Sequence, residues 1–255
     1  MEENKYIFAL GFFDGLHLGH QALMKECCAL AKQMGIKTAA ISFDKHPKSL
    51  VVKEPPVLLT TQAVRQMLLQ RYGMEKIHVL PVVPEVMGLP WEEFIQRLLD
   101  LGAVGFVCGD DFTFGYKGLG KAESLTGYCE AKGLPCVVVA EQTLDGKRIS
   151  STLIRSCMEQ GDLEEANRYL GHPHVMMGVV QPGEAPYLSV PAGIALPKVG
   201  SYACTATVDG KCHPATVYIN AEAAVEVEIP NLEGNPAGRE LVLEFERFLS
   251  AERKD

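Results

Sequence analysis

The spacing of apolar positions changes character along the chain, and each change marks an element. Tyr6 to Leu10 is an unbroken apolar run of strand length, and after His20 the residues Leu23, Cys27, Leu30, Ala31 and Met34 fall on one helical face that Gly35 ends. Thr38 to Phe43 predicts a second strand, Thr61 to Tyr72 a helix stopped by Gly73, and Lys76 to Val83 a third strand. Trp91 to Leu101 carries an amphipathic helix pattern ending at Gly102, followed by a strand at Gly105 to Cys108, a helix at Lys121 to Lys132 and a valine-rich strand at Pro135 to Ala140. Strands alternating with helices predict βαβ units, an α/β class with a parallel sheet covered on both faces.

The pattern then shifts. Two short helices are expected at Ser151 to Gln160 and Leu163 to Leu170, the first opened by hydroxyl residues and closed by Gly161. A boundary near Gly171 to Val175 divides the chain into residues 1–172 and 173–255. Beyond it Pro182, Pro186, Pro191 and Pro197 punctuate a β-rich pattern with strands at Tyr202 to Val208, Ala215 to Ile219 and Val225 to Ile229, while Glu240 to Phe248 suits a strand or a terminal helix equally.

Composition narrows the function classes. The chain has 255 residues with 47% hydrophobic content, room for one large or two modest cores. Its 32 acidic and 24 basic side chains leave a net charge of -8, which gives no general attraction to nucleic acid or to an anionic membrane, so a phosphate ligand has to be held by a local site. Polar residues Met1 to Lys5 and the short apolar run behind them lack the layout of a signal peptide or a membrane span, and a cytoplasmic protein is expected. The eight cysteines have no framework of spacings and read as reduced and mostly buried; Cys204, Cys212 and His213 have no C-x-x-C pair to support a metal site.

Chemistry concentrates in Gly11-Phe12-Phe13-Asp14-Gly15-Leu16-His17-Leu18-Gly19-His20. Gly11 follows the first strand at the carboxyl edge of the predicted sheet, where open α/β sheets bind ligands, and the helix beginning near His20 points its free N–H groups and positive dipole end at that edge. His17 and His20, three residues apart, can direct two imidazoles at one phosphate group. That pattern suits nucleotidyl transfer, in which positioning and charge stabilisation on phosphate oxygens replace covalent catalysis. Further on, Arg148-Ile149-Ser150-Ser151-Thr152-Leu153-Ile154-Arg155 sets hydroxyls at a helix start between two arginines, an anion site fit for polyphosphate. Ser-Ser-Thr alone is an ordinary helix cap, and it gains meaning from the first motif.

Together these motifs resemble the nucleotidylyltransferase superfamily, with its early H-x-G-H and late I-S-S-T-x-x-R signatures in one Rossmann-like domain. Gly11 to Gln21, Ser42-Phe43-Asp44-Lys45-His46-Pro47 and Gly109-Asp110-Asp111-Phe112-Thr113-Phe114-Gly115 narrow the likeness to the adenylyltransferase module of bacterial FAD synthetases, and Gly161 to Gly171 is similar to the closing helices of that module. The resemblance implies FMN and ATP as substrates, with Mg²⁺ accompanying ATP. It implies His17, His20 and Arg155 as catalytic, Gly11, Phe12, Asp14, Arg148, Ser151 and Thr152 as nucleotide-binding, and Asp111 and Phe114 as flavin-side residues. His46 is read as a contact beneath the site, and Leu153 departs from an arginine common at that position. Without the other motifs, Phe112 and Phe114 read as core anchors.

Bifunctional members of this family carry a carboxyl-terminal β-barrel riboflavin kinase. Here the corresponding segment runs from Gly178 to Ile194, and its Thr and Asn positions hold Ala192 and Ile194, which supply no oxygen for a hard cation. A barrel-like remnant without kinase activity is expected; Glu226 resembles the kinase base but equally suits the solvent face of an alternating strand. The leading expectation is therefore FMN adenylyltransferase. Transfer to another phosphate acceptor is one alternative, and a flavin or nucleotide sensor derived from the enzyme is another.

Overall fold

The computed structural model describes residues 5–183 and 186–253. Most of the amino-terminal stretch read above as no signal peptide (residues 1–4) and two positions of the Gly178 to Ile194 segment (184–185) lie outside the described residues. By proximity in space the chain divides into two units, Met1–Pro56 with Arg65–Arg148, and Val57–Val64 with Ile149–Asp255.

The first unit is built from β1 (Tyr6–Leu10), α1 (Leu18–Met34), β2 (Lys37–Phe43), α2 (Gln62–Arg71), β3 (Lys76–Leu80), the one-turn α3 (Pro84–Met87), α4 (Trp91–Asp100), β4 (Ala103–Gly109), β5 (Thr113–Phe114), β6 (Gly120–Lys121), α5 (Ala122–Lys132), β7 (Cys136–Val139), β8 (Thr143–Leu144) and β9 (Lys147–Arg148). Five strands form a sheet in the order β3-β2-β1-β4-β7, and every pairing in it is parallel. Strand β1 is buried along its whole length, which is why its sequence shows no polar alternation. The expected strand from Lys76 to Val83 stops at Leu80, because Pro81 has no N–H to continue a ladder.

The second unit comprises α6 (Ser151–Gln160), α7 (Leu163–Leu170), β10 (His174–Gln181), β11 (Tyr187–Leu188), β12 (Gly200–Val208), β13 (Lys211–Ile219), β14 (Val225–Glu228) and β15 (Glu240–Ser250). The six strands close into an antiparallel barrel in the order β10-β11-β14-β13-β12-β15. The ambiguous segment from Glu240 is a strand, since Leu241, Leu243 and Phe245 alternate into the core while β15 pairs with β10 on one side and β12 on the other. Asn167 of α7 ties helix to barrel, donating to the Phe245 carbonyl at 2.8 Å and accepting from the His174 backbone N–H at 2.8 Å. Residues 57–64 add a further bridge to this unit: Leu58 lies beside Ile194, donating to the Gly193 carbonyl at 2.8 Å and accepting from the Ala195 N–H at 2.7 Å.

Candidate active site

In the parallel sheet the chain runs outward from β1 through β2 to β3, then returns to the other side of β1 for β4 and β7. The order reverses between β1 and β4, and open α/β sheets hold their ligands outside the carboxyl ends of the strands at such a point. Leu10 pairs with Cys108, so the Gly11 loop and the loop through Asp110 and Asp111 leave the sheet side by side.

The Gly11 loop is tightly wound. Asp14–Leu16 forms a 3₁₀ turn, and Phe13 (φ 62°), Gly15 (φ 77°) and Leu16 (φ 42°) all take left-handed backbone conformations. For Phe13 and Leu16 such conformations cost roughly 1 to 2 kcal/mol each, offset by the complete burial of both side chains. Gly11 is required by close approach, since a Cβ there would sit 2.7 Å from the Phe13 ring. Strain of this kind, over-determined by packing, holds the loop in one shape.

That shape sets the two histidines. His17 caps α1, its Nδ1 accepting the His20 backbone N–H at 3.4 Å, a long contact. Since Nδ1 accepts, the ring proton of His17 sits on Nε2. The His20 ring stacks on His17 with centroids 3.7 Å apart and planes 16° apart, and it makes a T-shaped contact with Phe13 with centroids 5.3 Å apart. Burial, reinforced by the charge of neighbouring His17, holds the His20 pKa well below the ordinary histidine value. Its Nδ1 is buried with no hydrogen-bond partner among the described residues. His20 is therefore a neutral imidazole stacked on His17 at a helix amino terminus, a donor rather than a charge.

Against Phe12 of the same loop lies a residue that sequence reasoning missed. Arg65 of α2 is 1% exposed, donates from Nη2 to the Phe43 carbonyl at 2.8 Å and lies over the Phe12 ring at 4.5 Å from its centroid. Burial lowers its pKa, while the charges of Asp14 and Asp44 oppose that shift. Asp14 is itself buried, so the predicted nucleotide-site carboxylate has its countercharge in Arg65. The signal was present: Arg65 shares helical spacing with Leu68 and Leu69, a charge set in an apolar stripe. Ser42 donates to the Phe12 carbonyl at 3.0 Å, and the His46 and Phe12 rings meet edge to face with centroids 5.1 Å apart.

On the other side of the switch point the expected flavin residues separate. Asp111 is exposed and pairs with Arg148, which also pairs with Glu141. Phe114 is 6% exposed, stacked on Phe112 and packed against Trp91 and Phe94 in the core beside the sheet. In this structure its ring is an anchor for the loop. The remaining predicted residues belong to the second unit. There Ser150 caps α6 through a bond from the Leu153 N–H at 3.2 Å, leaving Ser151 and Thr152 in the first turn, and Arg155 donates to the Thr152 hydroxyl at 3.1 Å.

In the barrel, Glu226 is partly buried and held, accepting from Asn220 Nδ2 at 3.2 Å and pairing with Arg253 at 2.9 Å. Cys204, Cys212 and His213 line a shallow cavity with Glu246, yet no group of three or more His, Cys, Asp or Glu among the described residues is arranged to hold a metal ion. All eight cysteines are free thiols, five of them buried. No described helix is long and apolar enough to cross a membrane.

Fold and site together define an α/β nucleotide-binding unit of Rossmann-like topology followed by a closed antiparallel barrel. The profile described as FAD synthetase matches residues 1–153, and the chain belongs to that family. A bifunctional riboflavin kinase/FMN adenylyltransferase of Listeria monocytogenes is 30% identical over 268 residues, covering 97% of this chain and 85% of its own length. A second Listeria monocytogenes protein, described as FAD synthetase, is 29% identical over 201 residues, 77% of this chain and 79% of its own. Among solved structures, a Streptococcus pneumoniae chain described as a macrolide-efflux protein superposes over 98% of this chain and 87% of its own with a TM-score of 0.82 and 24% identity, a likeness of fold alone.

Proposed function

We propose that this protein transfers AMP from ATP to FMN, yielding FAD and pyrophosphate. The observation that carries the reading is the stacked His17 and His20 pair at the amino terminus of α1, held by a strained loop at the switch point of a parallel sheet, in a chain of the FAD synthetase family. A phosphate oxygen of FMN attacks the α-phosphorus of ATP as the bond from that phosphorus to the β-bridging oxygen breaks, and pyrophosphate departs. Imidazole N–H groups serve this step by hydrogen bonding to non-bridging oxygens as negative charge redistributes, with no reorganisation at the moment of transfer. His17, its proton on Nε2, and His20 take that role, while Ser151, Thr152 and Arg155 receive the β- and γ-phosphates. Mg²⁺ enters as part of the Mg-ATP substrate. Gly11, Phe12 and Asp14 shape the nucleoside pocket, stiffened by Arg65. Asp111 and Phe114 belong to the acceptor side, Phe114 through its hold on the loop that carries Asp111. The protein works in the cytoplasm on small molecules, and nucleic acid has no part in the reaction.

The barrel adds no kinase step in this reading, supported by Ala192 and Ile194 at the expected oxygen-ligand positions and by the Glu226 carboxylate being engaged by Asn220 and Arg253. The test is chromatography of products after incubating purified protein with Mg-ATP and, separately, FMN, riboflavin, phosphopantetheine or nicotinamide mononucleotide. FAD from FMN alone is expected. FMN from riboflavin overturns the loss of the kinase, AMP transfer to another phosphate overturns the acceptor, and binding without any product replaces the enzyme by a sensor.

A further inference from the structure

Arg148 is gripped by two carboxylates from different segments: Nη2 lies 2.5 Å from Asp111 Oδ2, and Nη1 lies 2.8 Å from Glu141 Oε1. Both segments leave the carboxyl edge of the sheet, Asp111 just after β4 and Glu141 just after β7. They are tied to each other, since Asp110 donates its N–H to the Val139 carbonyl at 3.1 Å and accepts the Glu141 N–H on Oδ2 at 3.1 Å. The hairpin β8–β9 turns at Asp145 (φ 52°) and Gly146 (φ 74°), residue types suited to a tight primed turn, and returns Arg148 to the same edge. The neighbour of Glu141 borders the histidine helix: a Cβ placed on Gly19 would lie 3.2 Å from the His17 ring and 4.0 Å from Gln142 Cβ.

We propose that Glu141, together with Asp111, is a built-in competitor for the anion site at Arg148, so that an incoming polyphosphate has to displace a carboxylate of the protein itself. The inference rests on the assignment of Arg148 to the nucleotide site. Both terminal nitrogens of the guanidinium are already engaged in the way they would engage a phosphate. Two carboxylates against one guanidinium also leave a net negative charge where a polyanion is to bind. The side chains are 51%, 65% and 41% exposed for Arg148, Asp111 and Glu141, so each pair is weak and exchangeable; a buried pair would be locked in place. Glu141 is thus a positioning residue that sets how readily Arg148 is surrendered to a ligand, and it lies outside both signature motifs.

The test uses the full chain with inorganic tripolyphosphate as probe, titrated calorimetrically without FMN, alongside the KM for ATP in FAD formation. Glu141→Gln should tighten tripolyphosphate and lower the KM for ATP by roughly two- to fivefold, the scale of one exposed ion pair. The gain should shrink as salt is raised. Arg148→Ala should weaken the same binding and abolish the gain from Glu141→Gln, a coupling that a merely structural role would not produce. Glu141→Ala should move binding in the same direction, with the thermal melt of each variant checking its fold. Unchanged or weaker binding by Glu141→Gln overturns the proposal, as does a gain that persists without Arg148. Tighter tripolyphosphate binding in a protein that makes no FAD would uphold this inference while the FMN reading fell.

Discussion

The Gly11 to His20 loop and the Pro191 to Ile194 segment of the barrel make opposite use of their polar groups. In the loop, polar groups are buried but left with capacity to bind: His20 Nδ1 has no partner among the described residues, and backbone strain at Phe13 and Leu16 is retained. Around Ile194 and Glu226 of the barrel, polar groups are paired within the unit. Gly193 and Ala195 hydrogen-bond to Leu58 of the same unit, and Glu226 is bound to Asn220 and Arg253. Unsatisfied or strained groups in a folded protein are costly and persist where function holds them. The two regions differ in that the loop keeps an unpartnered ring nitrogen and left-handed residues at the switch point of the sheet, while the compared barrel positions are paired within their own unit.

The largest expected effect tests the buried support of that working site. Arg65→Ala leaves Asp14 buried without its countercharge, and urea unfolding should show a loss on the order of 3 to 5 kcal/mol, the cost of breaking a buried pair. Wild-type stability in this variant would mean that water reaches Asp14 and that Arg65 is not its countercharge. Next is His20→Ala, which should cut kcat/KM for FAD formation by roughly 10²- to 10³-fold, as loss of one transition-state donor does elsewhere. Its melting temperature should stay close to wild type, because the change removes a buried nitrogen that has no partner. A variant that unfolds yet keeps its specific activity would make His20 structural and erase the contrast with the barrel.

A pH titration probes both regions at once. Burial lowers the pKa of His174 to about 3 and holds His20 well below 6.5. The unfolded chain takes up these protons near the ordinary value of 6.5 while the folded protein does not, so stability is fully present above that pH and declines on acidification toward the folded values. For His174 alone the loss should reach about 2 kcal/mol by pH 5, and His174→Leu should flatten the slope between pH 6.5 and 5 seen in denaturant melts. The smallest effect belongs to the barrel bridge. Leu58→Pro removes the N–H bonded to the Gly193 carbonyl and should cost about 1 to 3 kcal/mol, with FAD formation per folded molecule unaltered. Loss of turnover without loss of stability would mean that the Leu58 bridge serves the reaction.

Much of this was legible in the residues. The limits of β1, α6 and α7 follow from apolar spacing, Gly35 and Gly161 close the helices they follow, and the signature from Gly11 to His20 names its chemistry before any coordinate is known. Short two-residue strands such as β8 and β9 carry too little periodicity to be read, although the Asp145-Gly146 pair marks their turn. Strand β10 escaped because Gly178 and the unalternated methionines Met176 and Met177 blur its pattern. Arg65 escaped for another reason: its role depends on Asp14 and Phe12, some fifty positions earlier in the chain, and local spacing cannot report a partner at that range.

What the sequence by itself determined is most of the long elements and the reaction class, because periodicity, capping and motif chemistry are local. Only the tertiary structure decided how those groups are spent. It placed the first loop at the reversal of a parallel sheet, neutralised His20 by burial, set Arg65 against Asp14, engaged Arg148 with Glu141 and Asp111, and turned the ambiguous segment from Glu240 into a barrel strand. Each of these outcomes depends on desolvation or on a partner distant in sequence, and both come into being when the chain closes on itself.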